Sequence, residues 1–170
     1  GRRQPGREQI DWTALVVDVP FQLPALQFGA TIGEHGPDIG ALHWYLDRLG
    51  GRITLFGVPL HYHFHYASRA GGNYDMRRLL DGTLMQQRGR DVVTFVENHD
   101  SQPLQALESV VEPWFKPLAY ALILLRREGY PCVFYADYYG AEYEDQGRDG
   151  HRHRVVMPSQ QHRGLGQSVP

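Results

Sequence analysis

The chain has 170 residues, 42% of them hydrophobic and 12% aromatic, which suits one ordinary domain of roughly 100–200 residues with a real core. Seventeen basic and 19 acidic side chains leave a formal charge of −2, so there is no excess charge to hold nucleic acid or an anionic membrane surface. No apolar stretch approaches the ~20 residues that cross a bilayer, and the lone Cys132 permits no internal disulfide, which favours a cytoplasmic setting while remaining compatible with secretion.

Residues 1–27 mix charge, Pro5, Pro20 and Pro24 with one short β-like run, Ala14 to Val17, and sustain neither a helical nor a strand period. They form an N-terminal segment with no assigned role. The chain starts on Gly1, and Gly1 to Gln9 lacks the apolar core of a signal peptide, so the native start is expected to lie elsewhere. From Phe28 onward short apolar runs alternate with helical patterns, the signature of a parallel α/β fold.

Phe28 to Gly33 reads as a first strand, and Pro37-Asp38 opens a helix with an apolar face of Ile39, Leu42, Trp44, Tyr45, Leu46 and Leu49, stopped by Gly50-Gly51. A second strand over Ile53 to about Val58 precedes a helix near Tyr74 to Gln87, with Asp75 in its first turn. Asp91 to Val96 is a continuous apolar run suited to a strand buried on both faces. A third helix spans about Trp114 to Glu128, with Pro117 in its first turn and Gly129 past its end. Pro131 to Tyr135 is the fourth strand. Four parallel strands with intervening helices amount to half of a (β/α)8 barrel, which needs about 250 residues to close. The barrel-like domain is placed at 28–157, and the tail 158–170, with no periodicity from His151 onward, is expected to be disordered.

In such barrels the reacting groups gather at the C-terminal ends of the strands. The strand ending at Val96 runs into Glu97-Asn98-His99-Asp100, and the strand ending at Gly33 runs into Glu34. Two carboxylates converging from different strands, with a histidine beside them, match glycosidic bond cleavage: an acid protonates the leaving oxygen and an anion stabilises an oxocarbenium ion. The same residues also read as a polar turn capping the next element and a solvated loop acid.

The stretch Phe95-Val-Glu-Asn-His-Asp-Ser-Gln-Pro103 resembles the Asn-His-Asp motif of the family 13 glycoside hydrolases. Glu112 to Leu124, Gly129 to Asp137, and Val58 to Tyr62 with Tyr74 to Arg77 are similar to bacterial liquefying and cytoplasmic α-amylases in the same order and spacing. The resemblance covers about Gly33 to Met157. It implies endo-hydrolysis of α-1,4-glucosidic bonds in starch- or glycogen-type glucans by a retaining mechanism. Asp100 would stabilise the transition state, His99 and Asn98 would contact sugar, and Glu34 would be the general acid/base. His35-Gly36 follows Glu34 where the family has an aromatic pair, and the loop to Pro37 is one residue short.

The family nucleophile is an Asp in a Gly-x-Arg-x-Asp-Ala motif, which residues 1–33 lack: Asp11 and Asp18 have no Arg two residues before them. The chain is thus expected to be inactive alone, a truncated or frame-disturbed copy. The alternative is a non-catalytic remnant that binds glucan weakly or packs with a partner supplying the missing strands. A glucan transglycosylase is a further reading. Should activity appear, Asp137 or Glu97 would be the stand-in nucleophile. Calcium is implied for the full-length family, but its ligands lie mostly outside the matching segment, so no metal site is expected. Gly71-Gly72-Asn73-Tyr74 resembles a loop whose carbonyls bind calcium in some liquefying amylases. His61, His63 and His65 would share one face of a strand at metal-ligand spacing, whereas the resemblance turns this segment into a loop or helix start near Pro59. Tyr135, Tyr138, Tyr139 and Tyr143 read as packing or as sugar platforms. Unpaired barrel edges are expected to promote self-association.

Overall fold

A computed structural model describes residues 38–50 and 52–160. The N-terminal segment 1–27, the predicted strand 28–33, Glu34, and residues 161–170 of the predicted tail lie outside the described residues.

Helix α1 is Ile39–Arg48. Asp38 caps it, accepting from Gly40 N at 2.8 Å and Ala41 N at 3.4 Å, and so satisfies orphan donors of the first turn. Leu42 and Leu46, four residues apart, are its buried contacts, while Trp44 faces solvent.

Strand β1 is short, Leu55–Phe56. The expected extension to Val58 fails because helix α2, Val58–Arg69, starts there with a proline in its first turn, where a missing N–H costs nothing. Its buried side chains include Leu60, Phe64 and Ala67, and Phe64 meets Phe115 at a centroid distance of 6.3 Å.

The single helix expected near Tyr74 to Gln87 is not formed. The segment holds a 3₁₀ turn, Met76–Arg78, and then a one-turn helix α3, Leu84–Gln87. Gly82 sits at φ 68°, a left-handed conformation that breaks a helix and suits glycine. Thr83 then restarts the helix by accepting from Gln86 N at 3.2 Å.

Strand β2, Val92–Phe95, is the middle of a three-stranded parallel sheet in the order β1-β2-β3. Leu55 pairs with Val92, and Phe95 pairs with Cys132 of β3, Tyr130–Cys132. Helix α4, Lys116–Leu125, joins β2 to β3. Gly129, at φ 86°, brings the chain so close to β2 that an added Cβ would lie 2.5 Å from Thr94 Cγ2. Three parallel strands with helical crossovers fit a partial α/β fold.

After β3 the chain turns into helix α5, Tyr135–Tyr139, instead of continuing the strand. Beyond α5 comes a hairpin for which the sequence periodicity predicts no strand: β4, Ala141–Gln146, pairs antiparallel with β5, Arg152–Met157. Glu142 faces Arg154 at 2.6 Å and Glu144 faces Arg152 at 3.9 Å across it, the opposite-charge pairing that favours a hairpin register.

Candidate functional site

The sequence of β2 explains where its polar residues go. Val92, Phe95 and Val96 are buried, so the strand is anchored on the core and delivers Glu97 to Asp100 at its C-terminal end. Because β1, β2 and β3 are parallel, this is the sheet end where loops from all three strands gather, as in α/β sites generally.

Asn98 builds the turn. Its Oδ1 accepts from Asp100 N at 3.0 Å and Ser101 N at 2.9 Å, and its own N–H donates to Ser101 Oγ at 3.0 Å. This side-chain mimic of a backbone turn is characteristic of asparagine. The amide oxygen is therefore engaged within the turn. His99 and Asp100 point outward, about half exposed, with His99 Nε2 3.5 Å from Asp100 Oδ1. Glu34, the other predicted carboxylate, lies outside the described residues. Asp11 and Asp18 lie outside them as well.

Glu97 and Asp137 prove unsuited to act as stand-in nucleophiles. Their side chains are 0% and 2% exposed, and both are paired with the ammonium of Lys116, itself 6% exposed. Glu97 Oε2 accepts from Lys116 Nζ at 2.7 Å and Oε1 from Val111 N at 2.6 Å. Lys116 also contacts Asp137 Oδ1, whose second oxygen accepts from Tyr120 O–H at 2.7 Å. Burial pushes the Glu97 carboxyl up to about 7, against the pull of Lys116 and with the Asp137 charge adding to the rise. The Tyr120 hydroxyl is raised too, by burial and then by Asp137. Neither carboxylate was marked by sequence as half of a buried cluster. Lys116 at the start of a helix reads as a solvent-facing cation.

The three histidines lie on helix α2, not on a strand, and each has its own partner. His61 Nδ1 donates to Val96 O at 2.6 Å, and its Nε2 lies 2.7 Å from Ser109 Oγ. His63 meets Tyr74 O–H at 2.5 Å, and His65 Nδ1 donates to Val110 O at 2.6 Å. Burial lowers His61 to about 4, so its imidazole is neutral and its Nδ1–H fixed by the carbonyl. Its ring stacks on Phe95 with centroids 5.3 Å apart. Among the described residues no group of three His, Cys, Asp or Glu side chains is placed to hold a metal ion. The Gly71–Asn73 segment is a 3₁₀ turn in which Asn73 N donates to Ala70 O.

Of the tyrosines, Tyr135, Tyr138 and Tyr139 are exposed and mutually packed on α5, with centroids 4.7 Å apart in both pairs. Tyr143 instead donates to Pro103 O at 2.5 Å, and Gln105 Nε2 donates to Asp145 Oδ2 at 3.0 Å. The hairpin is thereby docked on the loop that follows Asp100. A hollow of about 160 Å³ lies beside this junction, lined by Gln105, Glu108, Gln146 and Arg148 and not by His99 or Asp100. No helix among the described residues is long and apolar enough to cross a membrane.

No family model matches the chain. Over 121 residues, 71% of the chain, it is 54% identical to the cytoplasmic α-amylase of Escherichia coli K12, covering 24% of that protein. Over 111 residues, 65% of the chain, it is 57% identical to an α-amylase of Geobacillus stearothermophilus, covering 20% of it. Over 103 residues, 61% of the chain, it is 58% identical to the glucan 1,4-α-maltohexaosidase of Bacillus sp. strain 707, again covering 20%. The chain spans between a fifth and a quarter of the length of these curated relatives. Over that part of their length the chain is similar to the family 13 α-amylases, as a fragment of one would be.

Proposed function

We propose that this chain carries part of a centre that hydrolyses α-1,4-glucosidic bonds inside starch- or glycogen-type glucans by a retaining carboxylate mechanism. Asp100 is the carboxylate that stabilises the oxocarbenium-like transition state, and His99 donates a hydrogen bond to sugar hydroxyls at the scissile subsite. Asn98 holds both in place through its turn, and Glu34 is the general acid/base. The observation that carries the reading is the placement of His99 and Asp100, both half exposed, on a rigid turn at the C-terminal end of the central parallel strand. A carboxylate there is open enough to meet substrate.

The same sequence supports a second reading. No Gly-x-Arg-x-Asp-Ala motif occurs in it, so the covalent step of a retaining mechanism has no nucleophile here. By itself the chain then acts as a glucan-binding remnant, or is completed by a partner supplying further strands. A transglycosylase would use the same carboxylates, and product analysis with an acceptor sugar separates it from a hydrolase.

Two measurements test these roles. Titration with maltoheptaose, followed by NMR, is expected to shift the His99 and Asp100 signals, and Asp100→Asn should weaken the response. Unmoved signals at millimolar ligand would remove the glucan assignment. Reducing-sugar release from soluble starch is expected to be no faster for the chain than for Asp100→Asn or Glu34→Gln. Residues of such a site act as a unit, and loss of one costs several orders of magnitude. Release that disappears in either variant would refute the incomplete-centre reading.

A further inference from the structure

We propose that Glu97, Lys116 and Asp137 are positioning residues: a buried ionic strut that sets where the Asn98–His99–Asp100 turn stands relative to the sheet. Its chemical purpose rests on the glucan reading of that turn, while its geometry does not.

Residues 98–115 leave the end of β2 and return to the start of α4. The turn at their beginning is internally bonded through Asn98 and Ser101, which fixes its shape but not its orientation on the sheet. Orientation comes from the two residues that flank it. On one side, Ser101 O accepts from Ser109 N at 2.9 Å. On the other, the carboxylate of Glu97 clamps the loop's origin to its return, with one oxygen on Val111 N at 2.6 Å and the other on Lys116 Nζ at 2.7 Å.

Lys116 extends the clamp to the neighbouring strand. Its ammonium also contacts Asp137 on α5, just beyond β3. Asp137 is held in turn by Tyr120 O–H, whose oxygen accepts from Phe134 N at 3.3 Å. One cation thus ties the C-terminal end of β2, the N-terminal turn of α4 and the segment leaving β3.

Stability alone is a poor reason for such a cluster. Burying ions costs desolvation that their attraction only partly returns, and apolar replacements of buried ion pairs are often neutral or better. Two carboxylates facing one ammonium make the balance worse. What directional, charge-assisted bonds supply is a defined geometry, and reacting groups need placement to within about 0.5 Å, because a displacement of ~1 Å costs on the order of a hundredfold in rate.

The test uses the full chain with Glu97→Gln and Lys116→Met. In Glu97→Gln the side-chain amide retains an acceptor for Val111 N but loses the charge that holds Lys116. Backbone ¹⁵N order parameters of residues 98–101 are expected to fall from about 0.85 to below about 0.6, while those of β2 and β3 stay unchanged. The dissociation constant for maltoheptaose should rise about tenfold, the factor expected for one lost charge-assisted hydrogen bond. A merely structural cluster would loosen strand and turn together, or neither, and either result overturns the proposal. Should Lys116→Met fail to fold, Glu97→Gln carries the test alone. A wild-type chain that ignores maltoheptaose while the turn loosens in Glu97→Gln refutes the glucan reading and upholds the strut. Equal affinity in both, with an unmoved turn, refutes the strut and upholds the glucan reading.

Discussion

Replacing Glu97 by Gln should change the shape of the pH–stability curve, because two buried groups of opposite proton demand now offset each other. Burial holds the Glu97 carboxyl at about 7, from an ordinary 4.5. Between those values the folded chain keeps a proton that the unfolded chain has released, so stability is lost as pH rises through that window. Burial likewise holds His61 at about 4, from an ordinary 6.5. There the unfolded chain takes up a proton that the folded chain refuses, so stability is lost as pH falls. Each displacement is about 2.5 pH units, equivalent to about 3 kcal/mol. From pH 4.5 to 6.5 the two slopes cancel, and the wild-type chain should show little contribution from either. Glu97→Gln removes one side of the balance, so its stability relative to wild type should rise by about 3 kcal/mol between pH 4.5 and 7. His61→Asn should do the reverse, losing ground to wild type as pH rises from 4 to 6.5. Urea unfolding followed by circular dichroism at half-unit pH intervals reads both differences, and other titrating groups cancel in the comparison. Parallel curves for wild type and Glu97→Gln would refute the reasoning.

Gly129→Ala should cost about 2–3 kcal/mol in urea unfolding, since φ is 86° and the new Cβ would collide with Thr94 at 2.5 Å. Asp38→Ala removes the cap of α1 and should cost about 1 kcal/mol by the same measurement. Glu142→Gln, by contrast, breaks an exposed pair with Arg154 and should leave the urea unfolding midpoint nearly unchanged. Light scattering at high concentration is expected to find species larger than the monomer, since β3 is exposed along its length, with Tyr130 at 77% and the nearby Leu125 at 83%. A clean monomer would count against association through this edge.

Patterns tied to one local cause were readable in the sequence, and those set by a distant partner were not. The run over 91–96 announces β2 because its apolar residues are continuous and its pairing on both sides is parallel. Asp38 announces α1 because capping is local. The segment 74–87 misleads because Met76, Leu79, Leu80 and Leu84 have helical spacing, yet of its apolar side chains only Leu79, Leu84 and Met85 are buried, and Gly82 adopts a left-handed φ between them. The hairpin carried a legible signal: acidic residues at 142 and 144 precede, and basic ones at 152 and 154 follow, the turn at 147–150, with Glu144 directly opposite Arg154. Apolar periodicity alone predicts no strand there. For the candidate site, Asn98, His99 and Asp100 are legible as polar residues at a strand end. The partners of Glu97 are not, since they lie 19 and 14 residues away and meet it only once the loop has closed.

Glu97 and Asp100 are three residues apart, and the fold gives them opposite environments. Glu97 is sealed at 0% exposure between Val111 N and Lys116, where desolvation favours its protonated form. Asp100 is half exposed, with its carboxylate facing solvent. A strand that simply continued would turn its side chains alternately inward and outward, with no rigid support for the outward ones. Ending β2 at Phe95 and closing an asparagine turn over the following residues separates the two tasks. The inward carboxylate spends its hydrogen bonds on the scaffold, and the outward one keeps its oxygens for a ligand. Exchanging them would fail in both directions: a carboxylate whose oxygens already hold Lys116 Nζ and Val111 N has none left for a ligand, and one turned out to solvent cannot clamp the loop to its return.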